Sequence, residues 1–349
     1  MIVSIAMTTY NGARYLREQL DSILTQNYSD FELVICDDCS TDNTWAILAE
    51  YAEKDTRVHC RRNDKNLGYT KNFEKAITLC RGDYIALSDQ DDVWTPDHLA
   101  VLLENRSDAL LVWAQAEFIL QDGTPTGEKR LPASQVAFLA HNDNDLFRTL
   151  FFCCPAQGCT MLVNRILLEK AMPFVATRAY DPWLTLAAAS LKKLRYVDKT
   201  IVWYRIHDTN VSQPSLWSSR SLGMFQRIRK KFAQYKTPAA FLRFLVLRPF
   251  KNNDADQKWY KEWVQRCLDW LDLFFARFAP DLTAEQSVIF QGVKRYFLAL
   301  ANRTDFFYKI TYFQKYGESI CLHDNDGSKN FKRIMRKKFI FLTFRFKGL

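Results

Sequence analysis

Gly82-Asp83-Tyr84-Ile85-Ala86-Leu87-Ser88-Asp89-Gln90-Asp91-Asp92-Val93-Trp94 decides how the chain is read. Tyr84 to Leu87 is a short apolar run with Gly82 ahead of it, the pattern of a buried strand. The run ends in three carboxylates within four residues. Carboxylates packed so closely repel one another unless something cationic lies between them. Hard divalent cations such as Mg2+ or Mn2+ take oxygen ligands, often one or two protein carboxylates plus substrate phosphates. A buried strand that delivers Asp89 and Asp91 to the carboxyl edge of a sheet is therefore a candidate metal-diphosphate site. The competing reading is an acidic turn capping a helix that starts near Thr95-Pro96, so the surroundings must decide.

Those surroundings alternate. Residues 2–7, 31–36, 57–60, 84–87 and 109–113 read as strands. Residues 13–25, 43–53, 70–80 and 96–104 read as amphipathic helices, with Leu16, Leu20, Ile23 and Leu24 on one face of the first. Alternation of this size predicts an α/β fold: a mostly parallel sheet with helices on both faces. Ligands of such sheets sit beyond the carboxyl ends of the strands. That rule gathers three loops: Thr8 to Gly12, Asp37 to Asp42, and Asp89 to Asp92. Ser40, Thr41 and Asp42 also suit helix caps, but a cap does not need both Asp37 and Asp38. Asn66-Leu67-Gly68 opens the next helix as either a turn or a ligand loop, and Lys71 there is either a phosphate contact or a solvated lysine. The glycine fingerprints of dinucleotide and P-loop sites are absent.

After Trp113 the alternation stops. Gln121 to Gly127 is a turn-rich link, and Gly158-Cys159-Thr160 is a small-residue loop ahead of an apolar strand. Asp181 precedes Pro182-Trp183, which fits a helix N-cap with Pro at N1. Residues 195–197 and 201–205 read as two strands. Arg205 and His207, two apart, point to one side of an extended chain and could both address an anion or a metal.

With 349 residues the chain can bury a large core, and no run of about 18 apolar residues marks a membrane span. The start lacks the charged head and cleavage site of a signal peptide. Nine cysteines without repeating spacing predict reduced thiols in the cytosol. Charge is uneven: residues 217–251 hold nine Lys or Arg and no acid, and residues 329–349 hold eight and none, against a net +9 overall. Basic segments mixed with bulky apolar residues predict attachment to an anionic membrane surface. Nucleic acid is disfavoured because no motif for it accompanies the charge. Exposed aromatics in the C-terminal half are a candidate homodimer contact.

Taken together, these segments resemble family 2 glycosyltransferases of the GT-A fold, and the bacterial rhamnosyltransferase-like branch in particular. The resemblance rests on residues 3–12, 37–44 and 66–68, on Ser88 to Trp94 as its strongest block, and on Gly158-Cys159-Thr160, Tyr180-Asp181-Pro182-Trp183 and residues 204–212, all in the family's order. It implies a catalytic domain over 1–214, with a nucleotide-sugar half (1–113) and an acceptor half (114–214). A basic, aromatic-rich helical region fills 215–349. Under it, Thr8, Tyr10 and Asp38 hold the base and ribose. Asn66, Lys71, Asp89, Gln90 and Arg205 complete the donor site. Mg2+ or Mn2+ is held by Asp91, Asp89 and His207. Asp181 is the general base, while Gly158, Cys159, Thr160 and Trp183 face the acceptor.

The implied activity is inverting, metal-dependent transfer of a sugar from a dTDP- or UDP-sugar to a surface-polysaccharide or lipid-linked glycan. Rhamnose from dTDP-rhamnose is one donor reading, and glucose or galactose from a UDP-sugar is the other. The implied place is the inner face of the cytoplasmic membrane. In this family an aromatic commonly follows the base directly; here Pro182 intervenes. A non-catalytic nucleotide-sugar-binding scaffold and a metal-dependent phosphohydrolase are the readings from other classes.

Overall fold

The computed structural model describes residues 3–131, 146–147, 150–151, 154–175, 179–208, 210 and 254–301. Strands and helices alternate at first: β1 (Val3–Thr9), α1 (Leu16–Leu24), β2 (Phe31–Asp37), α2 (Thr44–Lys54), β3 (Val58–Arg62), α3 (Tyr69–Leu79) and β4 (Tyr84–Ser88). Then come β5 (Val93–Trp94), α4 (His98–Glu104), β6 (Leu111–Ile119), β7 (Pro125–Lys129), β8 (Met161–Asn164), α5 (Arg165–Ala171), α6 (Tyr180–Ser190) and β9 (Leu194–Arg205). Two helices close the described chain, α7 (Asp254–Phe278) and α8 (Ala284–Ala301). The strands form one nine-stranded sheet in the order β3-β2-β1-β4-β8-β6-β9-β5, with β7 also paired to β6. β3, β2, β1 and β4 run parallel, as do β6 and β9; β8 and β5 are antiparallel to their neighbours. This is the expected mostly parallel α/β sheet.

Every residue of β1 and β2 is buried, as strands covered on both faces require. The buried carboxylate of Glu32 accepts from the Ser4 hydroxyl (2.6 Å), the Arg81 backbone N–H (2.6 Å) and Arg81 Nε (2.8 Å). Gly82 N–H donates to Ser4 Oγ at 2.7 Å, so the turn ahead of β4 is tied to both central strands. At the other end Gln19, buried in α1, donates to Ser88 Oγ at 2.9 Å. Thus β4 is fixed at both ends before it delivers its carboxylates.

Three expectations need correction. First, the acidic turn does not cap a helix. β5 intervenes, pairing Val93 with Trp203 and Trp94 with Val202, and α4 begins only at His98. Second, the two strands expected around residues 195–205 are one twelve-residue strand. Two register shifts between Ala114 and Ala116 pass over residues 198–199 and 201, with Thr200 paired to Gln115 between them, so the pairing with β6 continues. Third, Asp181 is not an N-cap: Ala179 caps α6, and Asp181 lies inside its first turn.

α7 docks through aromatics spaced four apart. Trp270, Phe274 and Phe278 surround Trp183 of α6 with ring centroids 5.8, 5.6 and 5.9 Å away. All four side chains are buried. A second compact unit begins at Gly292 within α8, and of it only the end of that helix is described. Among the described residues no helix is long and apolar enough to cross a membrane. The basic segments 217–251 and 329–349 lie outside the described residues.

His98 provides a test of the packing behind β5. Its ring stacks on Trp94 at 3.6 Å and donates through Nδ1 to Ile201 O at 3.1 Å. Burial pushes its pKa down to about 3. The unfolded chain takes up this proton below about pH 6.5 while the folded chain resists it down to about 3, so acid costs stability across that window. In urea unfolding, the stability difference between wild type and His98→Phe should shift by about 1.4 kcal/mol per pH unit between about pH 6 and 4, in favour of the variant. A difference independent of pH would show that His98 is not buried neutral.

Candidate active site

The parallel register sets Thr9 beside Asp37 and Met7 beside Ser88, so the loops after β1, β2 and β4 emerge together at the carboxyl edge. The β1 loop is held by its neighbours. Gln90 accepts from Tyr10 N–H at 2.8 Å and donates to Tyr10 O at 3.1 Å. Its amide lies so close over Gly12 that a Cβ there would sit 2.2 Å from Gln90 Oε1, so any larger residue would push the Gln90 side chain aside. Asn11, at φ 49, accepts from Thr41 N–H at 2.8 Å, and Gly12 N–H donates to Thr44 Oγ1 at 2.9 Å. Ser40 and Asp42, which suited helix caps, also serve this loop, accepting from Asn11 and Ala13 N–H. The Tyr10 ring is left 49% exposed above buried Thr8.

Asp37 and Asp38 are both buried and both engaged. Asp37 accepts from Thr9 Oγ1 (2.9 Å) and Ser40 N–H (3.1 Å). Asp38 accepts from Asn63 Nδ2 (2.7 Å), Leu67 N–H (2.8 Å) and Gly68 N–H (2.9 Å). Asn63 bonds Asn72, which donates to Cys36 O, so the Asn66-Leu67-Gly68 loop is pinned to the end of β2. Gly68 supports this with φ 80, a left-handed conformation natural to glycine. Asn66 meets this loop through Asp38 O (3.3 Å). Lys71 is not brought to the carboxylates; its ammonium pairs with Glu74 at 2.9 Å.

Asp89, Asp91 and Asp92 crowd the end of β4. Asp91 Oδ2 lies 2.8 Å from His207 Nε2. Asp92 is fully buried; one oxygen accepts from Arg205 N–H at 3.1 Å, and the other has no hydrogen-bond partner among the described residues. Burial, then the Asp91 charge, pushes Asp92 up to about 8. Burial, then the charges of Asp92, Asp91 and Asp181, raises Asp89 well above the usual carboxylate range. A divalent cation relieves this kind of crowding. The orphaned buried oxygen of Asp92 beside two further carboxylates fits such an ion.

Arg205 is buried and turned towards protein: Nε donates to Asp91 O (3.0 Å), Nη1 to Gln121 O (3.2 Å) and Nη2 to Glu18 (2.5 Å). Tyr15 lies between it and His207, with the guanidinium 4.8 Å from the Tyr15 ring centre and the imidazole 4.9 Å away. Asn210 orders the His207 turn, accepting from His207 N–H (2.6 Å) and donating to Arg205 O (3.1 Å).

On the facing side, Asp181 is half-buried in the first turn of α6. Its Oδ1 is sealed from solvent and has no hydrogen-bond partner among the described residues. Burial raises its pKa to about 6, opposed by its own helix N–H, the Arg130 charge and Gly158 N–H. Gly158 begins the Gly158–Thr160 3-10 turn ahead of β8, directly beneath the Tyr180 hydroxyl; a Cβ there would lie 2.0 Å from that oxygen. Tyr180 and Tyr69 share a hydroxyl contact of 3.2 Å near Asp89 and Asp181. In the same turn Thr160 bonds Gln157 O, and the Cys159 thiol lies within 4.8 Å of carboxylate oxygens of Asp89 and Asp92. Trp183 is not brought to the site: its indole N–H donates to Ala171 O at 2.9 Å and its ring packs under α7.

Asp92, Asn210, Glu18, Tyr15, Tyr69 and Tyr180 belong to this constellation but have no role assigned from sequence. Asp92, Asn210 and Tyr180 lie inside quoted motifs, whereas Glu18, Tyr15 and Tyr69 carry no such signal.

Residues 4–167 match the protein-family model described as Glycosyl transferase family 2. An uncharacterized glycosyltransferase of Methanocaldococcus jannaschii is 35% identical over 244 residues, 66% of this chain and 81% of that protein. The UDP-Glc:alpha-D-GlcNAc-diphosphoundecaprenol beta-1,3-glucosyltransferase WfaP of Escherichia coli is 26% identical over 60% of this chain and 80% of its own length. The crystal structure of S. aureus TarS 1-349 in complex with UDP-GlcNAc shares the fold, with a TM-score of 0.56 at 17% identity over 91% of each chain. Sheet order, motif order and relatives agree, and the chain belongs to glycosyltransferase family 2, built on the GT-A fold.

Proposed function

We propose that this enzyme transfers a sugar from a nucleotide diphosphate donor to a hydroxyl of a surface-polysaccharide or lipid-linked glycan, with inversion at the anomeric carbon. The observation that carries the reading is Asp181: a carboxylate with one sealed, unpartnered oxygen and a pKa near 6, on the same cleft as the carboxylates of β4. A general base works best with a pKa near the operating pH. Asp181 takes the proton of the acceptor hydroxyl, whose oxygen forms the new bond to the anomeric carbon. The bond from that carbon to the phosphate oxygen breaks with its electron pair, and the nucleoside diphosphate leaves on the opposite side. Asp91, Asp89 and His207 would hold Mg2+ or Mn2+, which when bound would supply charge neutralisation for the leaving diphosphate. Tyr10, exposed at the sheet edge, supplies a face for the base, with Thr8 and Asp38 shaping the floor and Gln90 fixing the loop.

The WfaP name includes a UDP-glucose donor and a diphosphoundecaprenol-linked acceptor. This supports a lipid-linked acceptor and a UDP-hexose donor; rhamnose from dTDP-rhamnose is the donor favoured by motif order alone. A catalytic domain over 1–214 followed by a basic region over 215–349 suits an enzyme working at the inner membrane face.

Asp181→Asn should lower turnover about 10²–10⁴-fold while leaving donor binding intact. In the wild type kcat/KM should fall below about pH 6, because protonated Asp181 cannot accept the hydroxyl proton. Unchanged turnover in the variant would remove the base assignment. In thermal-shift titrations, UDP or dTDP at a hundred times its Kd with Mg2+ or Mn2+ should stabilise the fold by about 2.7 kcal/mol. Asp91→Ala should abolish the metal dependence of that shift; its persistence would place the cation elsewhere. Binding to anionic lipid vesicles should weaken with salt and on truncation after residue 328, and salt-independent binding would reject the membrane reading.

A further inference from the structure

We propose that Tyr69 and Tyr180 act as one hydroxyl pair that reads the transferred sugar, Tyr69 donating to one of its oxygens and Tyr180 holding Tyr69 in place. The inference rests on the transferase reading and adds the residues that choose the sugar. Tyr69 opens α3 directly after Gly68, and Tyr180 opens α6 directly before Asp181. Their rings stack with centroids 5.4 Å apart, and their hydroxyl oxygens lie 3.2 Å from each other. Phe73 and Phe174 pack on Tyr180 at 4.5 and 5.9 Å, and Phe73 meets Tyr69 at 5.1 Å, so both rings are held. Two hydroxyls carry two protons, and the contact between them uses one. The other has no acceptor among the described residues. Tyr180 is 1% exposed and Tyr69 half-buried, so the pair opens through Tyr69. A tyrosine hydroxyl inside a protein ordinarily finds a partner, and a ligand oxygen in the cleft supplies one.

Position decides which part of the substrate that is. The charges of Asp89 and Asp181 both act on the two hydroxyls, Asp89 the more strongly. The pair therefore stands between the cation side of the cleft and the base, nearer the cation side. The sugar being transferred occupies that span, because its anomeric carbon joins the diphosphate and faces the acceptor hydroxyl. With the sugar bound, Tyr69 donates to it and Tyr180 donates to the Tyr69 oxygen. A site that hydrogen-bonds a substrate hydroxyl discriminates strongly against an analogue lacking it.

The experiment is isothermal titration calorimetry of the full-length chain with Mn2+. The probes are UDP-glucose, UDP-galactose and dTDP-rhamnose, the matching bare nucleotides, and the monodeoxy analogues of whichever sugar nucleotide binds most tightly. Tyr69→Phe should weaken that sugar nucleotide about threefold to tenfold and leave the bare nucleotide unchanged. One monodeoxy analogue should bind wild type and variant equally, because the oxygen that Tyr69 meets is already gone. Tyr180→Phe should lose affinity for the same probes, and the double variant should be no weaker than Tyr69→Phe alone. If Tyr69→Phe fails to melt cooperatively, Tyr180→Phe carries the same expectation. Equal binding of every probe by wild type and variant overturns the proposal. So does equal weakening of the bare nucleotide and all analogues, the mark of a merely structural pair. Nucleotide bound without such selectivity removes this inference and leaves the transferase reading, whereas no nucleotide binding in wild type removes both.

Discussion

A buried guanidinium governs this end of the sheet. Arg205 has 1% of its side chain exposed, and its charge is compensated by Glu18, two backbone carbonyls and the face of Tyr15. Its backbone N–H meets Asp92 while its Nε meets Asp91 O, so one residue fixes both the carboxylate and the path of the acidic loop. Burying a charge is expensive unless its hydrogen bonds are made, and here the partners come from α1, the β6–β7 turn and the loop after β4. Those three elements cannot shift independently without exposing or orphaning the guanidinium. The position of His207 against Asp91 follows from the same lock, because Tyr15 and Asn210 join the two residues.

Several side chains with ligand-like chemistry spend it on the protein itself. Gln90 uses both ends of its amide on Tyr10, and Asp38 takes two backbone N–H groups and Asn63. These bonds fix loops that would otherwise be free, and fixed loops are what a site built on β-strand ends needs. The ordering entropy is then already lost before a donor binds. Glycine at position 12 leaves room for the Gln90 amide, and Gly68 supplies the left-handed backbone its loop needs.

The parallel half of the sheet was legible because its signals are local. Strand runs of about five residues, helical stripes and cap-like punctuation each lie within a single window of sequence. β5 was not legible: two residues have no periodicity, and only their pairing with β9 makes them a strand. β9 reads as two strands because polar residues 198–200 interrupt the apolar run, while in the structure register shifts against β6 carry one strand through them. At the site, the Asp91–His207 contact was legible only through motif order, since 116 positions separate the pair. Glu18 and Arg205, 187 positions apart, had no such guide, and Glu18 reads as an ordinary helix-surface acid. Trp183 failed in the opposite sense. It adjoins Asp181 in sequence, but α6 rotates it onto the core face, where α7 covers it.

The two sides of the cleft also differ in how they hold a proton. Asp92 is raised to about 8 because burial is reinforced by a neighbouring carboxylate, and only the Arg205 and Cys159 contacts oppose it. Asp181 is raised only to about 6, because its burial is opposed by helix N–H, by Gly158 N–H and by the charge of Arg130. At neutral pH the first environment retains a proton or calls for a cation, while the second favours a bare carboxylate. Carboxyl groups whose surroundings drive their pKa values apart can take different roles in one reaction. The difference arises from placement: one carboxyl ends a strand among its own kind, the other begins a helix. A fold that brings strand ends and a helix start to the same edge therefore gives carboxyls of one residue type different proton affinities.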